Sequence, residues 1–258
     1  MKKNDLINLL VIAMFVIVGV GFTACGSDDD DDVKPLAVSP SSVSMKFDES
    51  QQLSASGATS WRSENEFVAT VDQNGLVKGN HVGSTDIIAS NGSTSGKCTI
   101  MITPKYNFFD LPILSWGATE TTIRNAETHG TPEKSGDYLL YGYDNGSIPA
   151  VVMYSFKNGS LNAVIQLTGS SYFANAGLFL IERFQAYGES DGMYIFGDSM
   201  STKSAITIVG LDYMTLSSKK YTGITYMLNT TSSSASPRRS MNVIPADVFE
   251  IAEKMLNQ

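Results

Sequence analysis

Three kinds of apolar pattern follow one another along the chain. The first is an apolar run over residues 6–21, broken only by Asn8. Short alternating runs follow over residues 35–104. Val43, Met45 and Phe47 alternate with Ser44 and Lys46; Leu53 and Ala55 flank Ser54; Cys98, Ile100 and Ile102 alternate with Thr99, Met101 and Thr103. Successive side chains on a strand point to opposite faces, so each run offers one apolar face to a core. Asp72-Gln73-Asn74-Gly75 reads as a hairpin turn, because Asn and Gly accept positive φ cheaply. The acids near it lack the later carboxylate of a calcium loop. Short strands with regular turn residues predict a β-sandwich.

The third pattern begins near Lys105 and mixes periods. A short helix is predicted over 119–128, with Thr119 as N-cap and Glu120 in the favourable first turn. Strands are predicted over 137–143, 150–156 and 161–167, with hairpin turns at Asp144-Asn145-Gly146 and Lys157-Asn158-Gly159. A longer helix is predicted over 171–187, from the stripe of Phe173, Ala176, Gly177, Leu180, Ile181 and Phe184, with Gly188 as its stop. Strands over 193–197, 205–211 and 221–228 complete this part. Residues 230–240 are rich in Ser and Thr and read as a loop. Pro245 then opens a terminal helix over 246–256 with a stripe of Val248, Ile251, Ala252 and Met255. Its predicted place is against the sheet.

Helix and three strands, given twice, suggests an internal duplication. The fold class expected is therefore an all-β sandwich at 35–104, then an α+β domain at 105–258. The latter would be one antiparallel sheet with helices on one face. Both faces of its strands are apolar. Tyr138 and Leu140 oppose Leu139, Tyr141 and Tyr143; Val152, Tyr154 and Phe156 oppose Val151 and Met153. Two readings follow. The terminal helix covers the second face, or part of that face is an exposed aromatic surface. Tyr141 and Tyr143 are the candidate ligand-binding residues on the second reading, since a tyrosine ring packs while its hydroxyl stays wet. A polysaccharide or a host protein would be the ligand.

Composition sets limits. The chain has 258 residues and a net charge of −8. Most of its 2 Trp, 11 Tyr and 12 Phe follow Lys105. No basic stripe is present to hold phosphates, which argues against nucleic-acid binding. Among motifs, the nucleophile elbow, the P-loop and the glycine-rich dinucleotide fingerprint are all missing. His81 and His129 fall in different predicted domains and read as loop residues, too few and too far apart for a zinc site. No catalytic residue, metal ligand or cofactor is assigned. Of the two cysteines, Cys98 reads as a small buried apolar residue.

The other cysteine closes the first segment. Lys2 and Lys3, the apolar run and the small residues Thr23 and Ala24 before Cys25 have the layout of an export signal over 1–24. Phe22-Thr23-Ala24-Cys25 resembles a lipobox, although Phe22 stands where that pattern prefers Leu. The resemblance implies a lipid on Cys25 and cleavage before it. The competing reading is an uncleaved membrane anchor, for which the run is near the lower length limit. Cleavage removes Lys2, Lys3 and Asp5, a net charge of +1, and takes −8 to −9. The tether over 25–34 contains Asp28 to Asp32, a like-charge block that stays solvated. It resembles the acidic signal that directs some lipoproteins to the outer face of the outer membrane.

Trp61, Ser63, Val68, Ala69, Val71, Gly75, Val77, Gly79, Gly83, Ile87 and Ala89 stand in the order and spacing of the bacterial Ig-like domain, group 2. The resemblance implies a surface spacer or adhesion module, with Trp61 at the centre of its sandwich. Residues 105–258 loosely resemble the tandem-repeat fold of β-lactamase inhibitory protein and small assembly lipoproteins, through topology and Ser115-Trp116-Gly117-Ala118-Thr119. Asp198-Ser199-Met200 resembles a short bacterial O-glycosylation acceptor, with Ser199 as the acceptor; an ordinary loop is the other reading. The function expected is a lipid-anchored, outward-facing outer-membrane protein with a non-catalytic binding head. A periplasmic assembly lipoprotein and an enzyme with an unrecognised site are the alternatives.

Overall fold

The computed structural model describes residues 34–146, 148–216, 218–230 and 244–257. The predicted export signal, Cys25, the Asp28–Asp32 block and most of the predicted loop over 230–240 lie outside the described residues. Pro35–Gln258 forms one compact unit. It is mostly β-sheet, with an Ig-like sandwich first and few helices.

The sandwich comprises β1 (Val38–Ser39), β2 (Ser42–Lys46), β3 (Ser50–Gln52), β4 (Ser54–Ala55), β5 (Ser60–Ser63), β6 (Ala69–Val71), β7 (Leu76–Gly79), β8 (Gly83–Ser90) and β9 (Ser95–Thr103). One sheet runs β2-β9-β8-β5, with β2 parallel to β9; the other runs β3-β7-β6, and β1 pairs with β4. Leu53, Val77, Ile87, Cys98, Ile100 and Ile102 fill the space between them. Cys98 is buried and free, as a small apolar residue should be. The 72–75 turn forms as expected: Asp72 Oδ1 accepts from the amides of Asn74 and Leu76, and Gly75 takes a φ of +82°.

Trp61 is placed differently from the expectation. It lies on β5, the edge strand of its sheet, and is half-buried. Its ring covers Gly75, where a Cβ would stand 2.9 Å from the ring. Aliphatic side chains, not the indole, occupy the centre. An edge strand can bring a large ring only to the rim, and the glycine makes room for it there.

The rest of the described chain builds one antiparallel sheet of eight strands. These are β10 (Glu133–Ser135), β11 (Tyr138–Asp144), β12 (Pro149–Lys157), β13 (Ser160–Gly169), β14 (Gln185–Ser190), β15 (Met193–Gly197), β16 (Thr207–Leu216) and β17 (Lys219–Leu228). Their order is β10-β11-β12-β13-β17-β16-β15-β14. Two four-stranded meanders thus meet at their last strands, β13 and β17. Helix α1 (Glu120–Ala126) precedes the first meander and α2 (Phe173–Ile181) the second; α3 (Ala246–Leu256) ends the described chain. Thr119 caps α1, its side chain accepting from the amide of Thr122. Asn158 and Gly159 take φ values of 52° and 77°, the pair of positive angles that a tight hairpin needs.

Helix α2 is shorter than the apolar stripe predicts. It ends at Ile181, and Gln185–Ser190 becomes a strand paired with β15. Tertiary structure overrides the stripe in two ways. Glu182 is needed at the helix end for backbone capture, described below. Tyr187 lies against Gly197, where a Cβ would meet its ring at 2.6 Å, so pairing with β15 is built into the sequence at a glycine.

Helices lie on both faces of the sheet, not one. Leu139, Tyr141, Val152, Tyr154, Val164, Val209, Leu211, Ile224 and Tyr226 face α1 and α2 through Ile123, Ala176, Phe179 and Leu180. Leu140, Val151, Met153, Ile165 and Leu167 face α3 through Val248, Phe249 and Ala252. The terminal helix therefore covers part of the second apolar face.

Candidate functional site

The segment between the sandwich and α1 threads past the end of α2, and there two charged residues bind it. Glu182 is fully buried. Its carboxylate accepts from the backbone amides of Lys105 at 2.7 Å and Tyr106 at 3.0 and 3.1 Å. Its backbone carbonyl accepts from the amide of Val82, in the sandwich, at 2.7 Å. Arg183 pairs with this carboxylate, donates to the carbonyls of Phe179 and Tyr106, and lies 3.9 Å from the centroid of the Phe179 ring. Charges taken out of water need such partners, and here every one is supplied locally. The junction is thereby held at its backbone.

Beside this rivet lies a cleft of about 380 Å³. The joining segment contributes Leu111, Leu114 and Trp116; the end of α2 contributes Phe184; the loop before β16 contributes Ile206 and Thr207; Val82 comes from the sandwich. Trp116 is fixed by its indole N–H, which donates to Thr207 Oγ1 at 3.0 Å. Asp198 borders the cleft, but its carboxylate already accepts from the amides of Ile206 and Thr207. Two lips stand in water: Leu111 is 49% exposed and Ile206 62%. A second hollow, which Phe184 also lines, is formed by Phe47, His81, Ile181 and Met200 together with the Lys78–Asp48 ion pair, and Met200 is 55% exposed. The junction thus carries an apolar belt whose charged neighbours are already engaged. Such a surface can bury apolar side chains of a partner.

His81 is not a solvated loop residue. It is buried at the junction, stacked on Phe67 at 4.1 Å, and its Nδ1 donates to the Phe67 carbonyl at 2.6 Å. Burial pushes its pKa below the ordinary value, while the Phe67 and Phe184 carbonyls pull the other way. His129 is also mostly enclosed. Its Nε2 lies 3.0 Å from Asp110 Oδ2, its Nδ1 lies 2.6 Å from Glu127 Oε1 outside good hydrogen-bond geometry, and its ring stacks on Tyr143. The two carboxylates approach opposite ring nitrogens and do not converge on a common point. Among the described residues, no group of three or more His, Cys, Asp or Glu side chains is placed to hold a metal ion.

The exposed tyrosine surface expected at Tyr141 and Tyr143 is corrected by the packing. Tyr141 is 1% exposed, in the core beneath α1, edge-on to Tyr154. Tyr143 is half-buried between His129 and Gln166, whose side-chain amide hydrogen-bonds its hydroxyl. Burial drives the Tyr143 and Tyr154 hydroxyls well above the usual tyrosine range. Gln166 also accepts from Tyr226 at 3.0 Å, and Tyr154 donates to Glu127. These tyrosines form a packed layer in which the hydroxyls of Tyr143, Tyr154 and Tyr226 are hydrogen-bonded, while that of Tyr141 is buried with no hydrogen-bond partner among the described residues. They lie on the face covered by α1 and α2, which hydrophobicity alone could not single out.

Ser199 is half-buried; its hydroxyl bonds that of Ser204 at 2.6 Å, and its carbonyl accepts from Tyr187. Cys25 lies outside the described residues. The sequence pattern does not single out Leu111, marks Met200 only as part of the Asp198-Ser199-Met200 motif, and places Ile206 in a strand over 205–211. In the structure that strand begins at Thr207, which leaves Ile206 in the preceding loop.

Residues 32–102 match the family model of the bacterial Ig-like domain (group 2). The resemblance read from Trp61 to Ala89 is thereby shown for this segment. No curated protein matches the chain. Among solved structures, domains 5-6 of the S-layer protein SbsC are similar at 14% identity, over 78% of this chain and 86% of that one, with a TM-score of 0.23. Extracellular cadherin domains 1-5 of protocadherin gamma B2 are similar at 14% identity, over 69% of this chain and 36% of that one, with a TM-score of 0.25. At such scores neither bears on function. Among the described residues, no helix is long and apolar enough to cross a membrane.

Proposed function

We propose that this chain is a surface-displayed lipoprotein, anchored through Cys25 and the acidic tether, whose folded part is a non-catalytic binding module for a protein ligand. The observation that carries the binding half is the junction cleft: Leu111 and Ile206 stand in water around Trp116 and Phe184, while Arg183 and Asp198 are consumed by internal bonds. Aliphatic lips suit an apolar side chain better than a sugar, which asks for planar hydrogen-bonding groups as well as a ring. The bacterial Ig-like segment supports display at a cell surface. The repeat of one helix and one four-stranded meander supports a duplicated origin of the second part.

Selection from a random peptide library on the immobilised full chain tests the cleft. Enriched peptides should share a bulky apolar anchor. Ile206→Asp should weaken them at least tenfold while changing stability by no more than about 0.5 kcal/mol, because the side chain is exposed. Enriched peptides indifferent to Ile206→Asp would remove the cleft from the proposal. For the anchor, Cys25→Ser should abolish fatty-acid labelling. Protease treatment of intact cells should degrade the parent; full protection would favour the periplasmic assembly role instead.

A further inference from the structure

A further cleft, of about 480 Å³, shares no lining residue with the junction cleft and is lined by Asn107, Phe108, Asn145, Ile148, Tyr172 and Asn175. Its chemistry is different. Three primary amides and two aromatic rings line it, and among the described residues no charged side chain does. Ile148 is buried at its base, and Phe108 and Tyr172 pack partly against the core, which keeps their rings in place. Phe108 is further supported by an offset stack with Tyr106.

The amides are held in defined states. Asn145 Nδ2 donates to the Asn107 carbonyl at 3.1 Å and to Asp110 Oδ1 at 3.4 Å, which ties the β11–β12 loop to the joining segment. Asn107 Oδ1 accepts from Arg183 at 3.3 Å. Among the described residues these bonds leave Asn107 with an amide N–H donor set, Asn145 with a carbonyl acceptor, and Asn175 with its whole amide unpaired. An amide donor, an amide acceptor and an amide offering both match the hydroxyl groups of a pyranose, each of which donates and accepts. Ring faces match its C–H surface. The lack of any charge in the lining disfavours an ionic ligand, which would enter without a counter-charge.

We propose that this cleft is a binding site for an uncharged sugar residue, independent of the protein-binding cleft at the junction. Asn107, Asn145 and Asn175 hydrogen-bond its hydroxyls, and Phe108 and Tyr172 pack on its ring.

Saturation-transfer NMR on the full chain tests this with four probes: methyl α-mannoside, methyl β-galactoside, methyl β-N-acetylglucosaminide and, as the charged control, sialic acid. At least one neutral glycoside should receive saturation and sialic acid should not. Asn175→Ala should lower the affinity for the responding glycoside at least tenfold, with an unchanged circular-dichroism spectrum and melting transition. Ile206→Asp should leave glycoside binding as it is. Silence from all three neutral glycosides overturns the site. So does a response retained in a folded Asn175→Ala, Asn107→Ala double variant. A response to sialic acid as strong as that to the neutral probes overturns the assigned ligand class.

Discussion

The sandwich and the eight-stranded sheet solve the burial problem in opposite ways. The sandwich closes two small sheets on one aliphatic layer, so each strand needs a single apolar face and gives the other to water. The second part wraps one sheet with helices on both sides, so its central strands are apolar on both faces. One consequence is chemical. With aliphatic residues, Met45 and Cys98 at its centre, the sandwich carries little buried polarity, chiefly His81 and Thr85. The thicker second part admits tyrosines and a glutamine, most of whose polar atoms are matched within the core. A second consequence concerns the surface. A sheet with both faces occupied has little room for a site on its strands, and the clefts lie instead where loops, helix ends and the junction meet.

The two parts of the molecule are joined most tightly at Glu182. That residue belongs to the second part but holds backbone on the joining segment and contacts the sandwich. Glu182→Ala leaves Arg183 without its buried partner and two amides without acceptors. The expected loss is about 3–5 kcal/mol. Calorimetry should show one unfolding transition in the parent and two in the variant. If a single unshifted transition persists, the two parts are not coupled through this carboxylate.

Ile100→Ala empties the aliphatic centre and should cost about 2–5 kcal/mol. Trp61→Ala removes a larger side chain from the rim and should cost less, roughly 1–2 kcal/mol, since only about half of it leaves water on folding. Urea unfolding of both variants checks the order. A larger loss for Trp61→Ala would return the indole to the centre.

The smallest effect is expected from pH. His81 is buried at the junction with a pKa held below 6.5 by desolvation. As pH falls through that value the unfolded chain binds the proton first, so stability is fully present above it and declines below. Denaturation midpoints between pH 7 and 5 should fall, and His81→Phe, which keeps the stack on Phe67, should make the slope shallower. An identical slope in both proteins would exclude His81 as its source.

How much of this was legible follows from the same contrast. In the sandwich, alternation of apolar and polar positions maps directly onto inside and outside, and the 72–75 turn and buried Cys98 came out as read. Helix α1 with its Thr119 cap, helix α3 and the hairpin at Asn158-Gly159 were legible too, because caps and positive-φ turns are local. The tyrosines were not. Leu139, Tyr141 and Tyr143 could be told apart from Leu140 as a face, but not assigned to water or core.

What the sequence determined by itself is therefore local and periodic: strand faces, turns, caps, the Ig-like pattern of residues 61–89 and the export-signal layout before Cys25. Tertiary structure alone decided the rest. It ended α2 at Ile181 and made a strand of Gln185–Ser190, because Glu182 was needed by amides far away in the chain and Tyr187 by a glycine on β15. It put a helix on each face of the sheet and buried Tyr141. It gathered Leu111, Trp116 and Ile206 from separate loops into one cleft, and Asn107, Asn145 and Asn175 into another. A period records which residues share a face; only contacts between distant segments determine what that face meets.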